Sequence, residues 1–160
     1  MIVVDALPEP LPPASLAGRE RDSLPARWEE RRWTRRRART AQGRELALAL
    51  PTGTVLEPGA LLVVDADFYV VVEARPEPVL AVRPRDAREA VGVAFEVGNR
   101  HFPLALEGDR LLVPDDAAMR QLLQRLGVAF EKAEAVFTPI GAGHRHEAGH
   151  ALADGHTHAH

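Results

Sequence analysis

The chain of 160 residues contains no cysteine. Disulfide bonds, cysteine zinc fingers and iron–sulfur clusters are therefore excluded, and any metal site must use histidine, carboxylate, backbone or water ligands. Aromatic residues make up only 5% of the sequence, so the apolar content of 46% must supply a core built mainly from valine, leucine and alanine. This length accommodates one mid-sized domain or two small ones.

Long apolar runs are also missing, since none approaches the roughly 18–20 residues that a membrane-spanning helix needs. The N-terminal residues lack the basic segment and the apolar stretch of a secretion signal. We therefore expect a cytoplasmic protein that has no membrane partner. Lysine is represented by Lys132 alone, and the formal net charge is −3, so the chain as a whole is not basic.

Histidine is concentrated at the C-terminus, where six of the seven histidines lie within residues 144–160. These six are His144, His146, His150, His156, His158 and His160. Neutral imidazole binds Ni, Cu, Zn and Co, and histidines two residues apart lie on one side of an extended chain. Small residues separate them, so the segment cannot form a core. We predict a disordered, metal-binding tail over residues 139–160.

Two other interpretations of this tail remain open. A purification tag is usually a run of histidine alone, whereas this segment is irregular and includes Glu147 and Asp154. A solvated low-complexity tail that binds no ligand is the second alternative.

The first half of the chain has the pattern of a small all-β domain over residues 1–74. Short β-rich runs are bracketed by proline and glycine turns. The expected strands begin near Ile2, Glu45, Val55, Leu61 and Tyr69. Residues 75–78 include two prolines and are predicted to form an extended linker.

The second half, residues 79–138, predicts the order β-α-β-β-α-β of a ferredoxin-like domain, which makes the chain α+β. The first helix is expected over residues 85–97, after Pro84 and before Gly98. Its predicted apolar face comprises Ala87, Ala90, Val91, Ala94 and Phe95. Asp115 or Asp116 is expected to cap the second helix.

His101 is the only histidine outside the tail, and it follows Gly98-Asn99-Arg100 at the corner between a predicted helix and strand. Such a corner presents a side chain outward, and a two-fold dimer brings two copies of the residue together. A surface histidine hydrogen-bonded to the backbone is the alternative.

These segments resemble the UreE family of urease accessory proteins. The motif Gly98-Asn99-Arg100-His101, followed by a strand, a hairpin and Asp116 at a helix start, carries the resemblance within residues 79–137. It extends upstream to residues 28–31, 35–40 and 43–51.

The resemblance implies a cytoplasmic homodimeric nickel chaperone that hands Ni(II) to the apo-urease assembly complex through an accessory GTPase. It places the interfacial metal ligand at His101 of both protomers and makes residues 1–74 a peptide-binding-like domain. Ligand type alone does not fix nickel, because the general affinity order favours copper. We therefore also expect Zn(II) or Cu(II) to bind in vitro.

The chain departs from some family members at three positions. It has Glu96 where they carry a histidine five residues before the interfacial one, and Asp115 and Ala117 where histidines flank the helix-start aspartate. We therefore expect a sparse site of two copies of His101, completed by tail imidazoles or water. Glu96 or Asp115 could supply an oxygen ligand. The alternative is that each is simply a solvated acid or a helix cap.

Three other functions compete with this one. The arginines at positions 31, 32, 35, 36, 37 and 39 form a basic block, which nucleic-acid binding, a partner-docking surface or a plain solvated face would explain. The absence of paired aromatics on the predicted strands makes nucleic acid unlikely. One histidine per folded unit does not make a hydrolytic metal site, so we predict no enzyme. A nonspecific metal sink is the remaining alternative.

Overall fold

The computed structural model describes residues 1–141 of the chain, and this part contains ten strands and three α-helices. The strands are β1 (Ile2–Val4), β2 (Glu20–Ala26), β3 (Arg35–Arg39), β4 (Glu45–Ala49), β5 (Leu61–Val64), β6 (Phe68–Ala74), β7 (Pro76–Val82), β8 (Ala105–Glu107), β9 (Arg110–Pro114) and β10 (Phe130–Val136). The α-helices are α1 (Trp28–Arg32), α2 (Ala87–Asn99) and α3 (Ala117–Arg125). The predicted α+β class is confirmed. None of the helices in residues 1–141 has the length and apolar character to span a membrane.

The N-terminal half consists of two three-stranded sheets, with the strand orders β1-β4-β3 and β2-β6-β5. Alternate side chains of β4, such as Leu46 and Leu48, are buried, and they pack in one cluster with Leu24 of β2 and Val70 of β6. Both sheets contribute to this cluster. Its buried members are all leucine or valine, as the scarcity of aromatic residues predicts.

The sequence interpretation of this half was wrong at several elements. Helix α1 interrupts the all-β organisation expected for residues 1–74, and no strand begins at Val55. The backbone N–H of Arg27 donates to Glu30 Oε2 at 2.8 Å, which closes the first turn of α1. Acidic residues in the first turn and arginines in the last turn complement the helix dipole. Strands β2 and β3 were not predicted either.

The C-terminal half has the predicted element order, and its four strands form one antiparallel sheet with the order β10-β7-β9-β8. Strand β7 is buried on both faces. Leu80 and Val82 pack with α2 and α3, whereas Val79 and Ala81 pack with Trp28 of the N-terminal half. One strand therefore belongs to two cores.

Strand β7 starts at Pro76 and not at Val79, so most of the segment expected to be an extended linker is paired with β10. Pairing with β9 begins only at Val79. Pro76 and Pro78 therefore occupy the part of the strand with a single neighbour, where a missing N–H donor is tolerated.

Helix α2 begins two residues later than expected and extends past Gly98. Asp86 caps it by accepting from the N–H of Glu89 at 2.8 Å. The predicted apolar face was right at Ala90, which packs against the core, but wrong at Val91 and Phe95, which are 68% and 64% exposed. Val93 and Val97, which were not assigned to that face, are buried. Apolar residues occur on both sides of this helix, so the sequence pattern mixed the two.

Candidate metal centre

His101 lies directly after the end of α2 in a left-handed backbone conformation. Its φ is 58°, and it is the only residue other than glycine with a positive φ within residues 1–141. This conformation is costly for residues with a Cβ atom, by about 1–2 kcal/mol.

The helix end has the geometry of a Schellman motif. The N–H of His101 donates to the carbonyl of Gly98 at 2.9 Å, and the N–H of Phe102 donates to the carbonyl of Val97 at 3.3 Å. Phe102 also packs against the core cluster that contains Val97. His101 therefore occupies the position that glycine usually takes in this motif. The hydrogen bonds of its own N–H and of the next N–H hold its backbone in place. A strained residue of this kind makes a functional role for its side chain a hypothesis to be tested.

The His101 side chain is exposed. Within the part of the chain that the structure describes, no polar contact engages its imidazole, so the alternative of a histidine hydrogen-bonded to the backbone finds no support. The same part contains no group of three or more metal-binding side chains. A complete Ni(II) shell around His101 therefore requires ligands from the tail, from a second copy of the chain or from water.

The acids that the sequence offers as oxygen ligands or as a helix cap are engaged by other groups. Glu96 Oε2 lies 2.6 Å from Arg100 Nη1, one helical turn away. Asp115 Oδ1 lies 2.8 Å from Arg120 Nε, and Asp116 caps α3 by accepting from the N–H of Ala118 at 2.7 Å. The expectation that one of the two aspartates caps this helix is confirmed for Asp116.

The predicted ligands in the tail lie outside the described residues. They are His144, His146, His150, His156, His158 and His160. The point from which the tail departs is described, and the N–H of Ile140 donates to the carbonyl of Leu104 at 2.8 Å. Leu104 is three residues from His101, so the tail starts beside the loop that carries the exposed imidazole.

Arg31 fixes the segment before the tail, a role that the sequence did not reveal. Its side chain is 1% exposed, and its Nη2 donates to the carbonyl of Phe137 just after β10. Its guanidinium carbon lies 5.3 Å from the ring centroid of Trp28, and that ring meets Phe137 edge-on at 6.5 Å. Burial lowers the pKa of Arg31, while Glu57 and Glu77 oppose that shift.

Comparison with known families identifies the family to which the chain belongs. The model of the UreE urease accessory protein N-terminal domain matches residues 9–75, and that of the C-terminal domain matches residues 77–160. The chain belongs to the UreE family. Members of the UreE family are accessory proteins and not enzymes, which confirms that no enzyme is to be expected here.

Individual UreE proteins are similar over most of this chain. The urease accessory protein UreE of Synechococcus sp. (strain JA-3-3Ab) is 44% identical over 126 residues, which cover 77% of this chain and 83% of that protein. UreE of Chelativorans sp. (strain BNC1) is 37% identical over 125 residues, covering 76% and 78%. UreE of Cupriavidus necator is 43% identical over 121 residues, covering 73% of this chain and 63% of that longer protein.

Proposed function

We propose that this chain is a cytoplasmic nickel chaperone that delivers Ni(II) to apo-urease during assembly of the urease active site, through the accessory GTPase of that complex. Membership of the UreE family supports the role in urease maturation. The observation that carries the metal site is His101, an exposed imidazole held at φ 58° where glycine is favoured. Nickel is the cargo in this proposal, so a site that binds and releases it serves the function.

The second half of the site comes from a homodimer. Val91 and Phe95 are 68% and 64% exposed, and they lead along α2 towards His101. Large exposed apolar side chains next to each other indicate an interaction surface. A two-fold axis beside the C-terminal end of α2 buries both copies of this stripe and places two His101 side chains together. Each protomer contributes the ferredoxin-like domain that the strand order β10-β7-β9-β8 supports.

Replacing Phe95 with glutamate is expected to separate the dimer, because two buried charges would meet near the axis without partners. We expect the dimer dissociation constant to rise by at least about a hundredfold, which corresponds to about 2.7 kcal/mol. Analytical ultracentrifugation measures it. Val3→Glu is the matched control, since Val3 is 63% exposed on the N-terminal half. A Phe95→Glu dimer of unchanged affinity would contradict this interface.

The tail supplies the remaining imidazoles. Ile140 is bonded beside Leu104, and the four residues from Ile140 to His144 span up to about 14 Å when extended. The three residues from Leu104 to His101 span at most about 11 Å. His144 and His146 can therefore reach His101, while the distal histidines act as a reservoir of exchangeable nickel.

The experiment that tests the proposal is a Ni(II) titration by calorimetry of the intact chain and of a chain ending at Gly141. Truncation is expected to lower the number of bound ions but to leave about one Ni(II) per dimer at the His101 pair, with dimerisation unchanged. If all binding disappears with the tail, the protein is a metal sink and not a chaperone with a shared site.

Two double variants compare the histidines near the start of the tail with those at its end. His144→Ala/His146→Ala is expected to weaken the site at His101 by about tenfold, because two of the imidazoles that complete the coordination shell are lost. His158→Ala/His160→Ala removes the same number of imidazoles and is expected to reduce stoichiometry alone. Equal effects of the two pairs on the tightest site would show that the proximal histidines have no special role.

A further inference from the structure

Strand β3 carries a row of exposed arginines that the metal site does not use. Arg35, Arg37 and Arg39 are exposed, whereas Arg36 and Ala38 alternate with them towards the core. Alternate residues of a strand are about 6.6–6.8 Å apart on one face. Arg39 Nη2 pairs with Glu45 Oε1 at 2.8 Å, while Arg35 and Arg37 have no ion-pair partner among residues 1–141.

Within residues 1–141, the same three residues have backbone groups without a hydrogen-bond partner. In this part of the chain, strand β3 is the edge of its sheet and pairs only with β4. The N–H of Leu50 donates to Thr34 and the N–H of Thr40 donates to Arg44, which makes the even-numbered residues the hydrogen-bonded positions of this antiparallel pair. By the alternation of the ladder, the N–H and C=O groups of the odd-numbered residues face the open edge.

We propose that the open edge of β3 binds an extended acidic segment of a partner protein as an added antiparallel strand. Main-chain hydrogen bonds to the odd-numbered residues give such a strand its register. Acidic residues at every second position then lie directly opposite Arg35, Arg37 and Arg39, at the cross-strand distance of about 5 Å. The arginines of β3 and the carboxylates of the added strand would have the same spacing, because both occupy every second position of a strand.

The charge pattern decides between the candidate occupants. A second copy of β3 would place arginine opposite arginine, so charge opposes edge-to-edge pairing of identical chains. A nucleic-acid phosphate accepts hydrogen bonds but cannot donate to the edge carbonyls, and Glu45 adds a carboxylate to the same face. Residues 47 and 49, opposite Arg37 and Arg35 on β4, are alanines and leave the arginine side chains uncovered. An acidic peptide satisfies both the charges and the alternating donors and acceptors.

This surface is distinct from the metal site, since β3 lies in the N-terminal half and His101 follows α2 in the C-terminal half. It assigns a role to the basic block that the sequence left open. The inference concerns a docking contact and does not depend on nickel binding.

The test uses a fluorescein-labelled nine-residue peptide of alternating glutamate and valine, with blocked ends, titrated with the full chain at low salt. Binding measured by anisotropy is expected to weaken roughly tenfold in Arg35→Gln/Arg37→Gln, since two cross-strand charge pairs are lost. Arg88→Gln/Arg125→Gln is the matched control, because both residues are exposed outside β3, and it should bind within about twofold of the unmodified chain. Equal binding by the two double variants would overturn the proposal.

A second pair of probes tests strand addition itself. N-methylation of the glutamates removes the N–H groups that would face β3, whereas N-methylation of the valines removes those facing away. We expect the first peptide to lose binding and the second to retain it. Retained binding of the first would overturn strand addition. A ten-residue oligothymidylate that binds through Arg35 and Arg37 while the acidic peptide does not would assign the edge to nucleic acid instead.

Discussion

Replacing His101 with glycine is expected to abolish the proposed Ni(II) site while raising the stability of the fold. Glycine removes the left-handed strain of about 1–2 kcal/mol at φ 58°. It adds about 0.5–1 kcal/mol of unfolded-state entropy. The net gain is about 0–1.5 kcal/mol, or a rise of up to roughly 6 °C in Tm for a chain of this size. A substitution that raises stability but removes metal binding indicates that His101 is a ligand, because replacing a structural residue would lower stability.

Calorimetry and thermal unfolding of the metal-free protein measure the two effects. His101→Ala is the matched variant, because alanine retains the Cβ strain and removes only the imidazole. It should lose nickel to the same extent without the gain in Tm. Activation of apo-urease should fall with both variants. Full activation by His101→Gly, or a lower Tm, would contradict the assignment of His101 as a metal ligand in a strained position.

Replacing Arg31 with alanine is expected to lower the free energy of unfolding by about 2–4 kcal/mol, the largest loss of stability among the variants considered. The substitution leaves the buried carbonyl of Phe137 without its donor and opens a cavity beside Trp28. Urea unfolding followed by tryptophan fluorescence measures the loss, because Trp28 is buried at this junction.

Arg32→Ala is the control for Arg31→Ala. Arg32 belongs to the same helix and its guanidinium carbon lies 5.6 Å from the Trp28 centroid, but its side chain is exposed. It should cost less than about 1 kcal/mol. Arg31→Met retains the volume and loses the donor, which divides the effect between packing and hydrogen bonding. Equal losses for Arg31→Ala and Arg32→Ala would show that the buried contact with Phe137 contributes nothing.

Some sequence patterns predicted their elements well. The apolar run of residues 79–82 predicted a strand, and the aspartates before α3 predicted its cap. Burial of that strand on both faces became evident only in the structure. Helix α2 has apolar residues on two sides, so periodicity did not distinguish Val93 and Val97 from Val91 and Phe95. Only packing against the sheet decides which side is buried.

Polar strands were the other failure. Three of the seven residues of β2 and four of the five residues of β3 are charged, so their intrinsic preference for a strand is weak. Tertiary pairing with β6 and β4 overrides that preference. The same effect hid Arg31, which sits in a basic block yet is buried. At the candidate site, the sequence pointed to His101 as a candidate metal ligand, but it gave no sign of the left-handed backbone at this residue.

The burial of β7 on both faces has a mechanical consequence. A free linker acts as a hinge, but here Glu77 accepts from the N–H of Trp28 at 2.8 Å, and the N–H of Arg75 donates to the carbonyl of Ala26 at 2.9 Å. Bending at this point would expose Val79 and Ala81 and would break both bonds. We therefore expect the two halves to move together when a partner binds either of them.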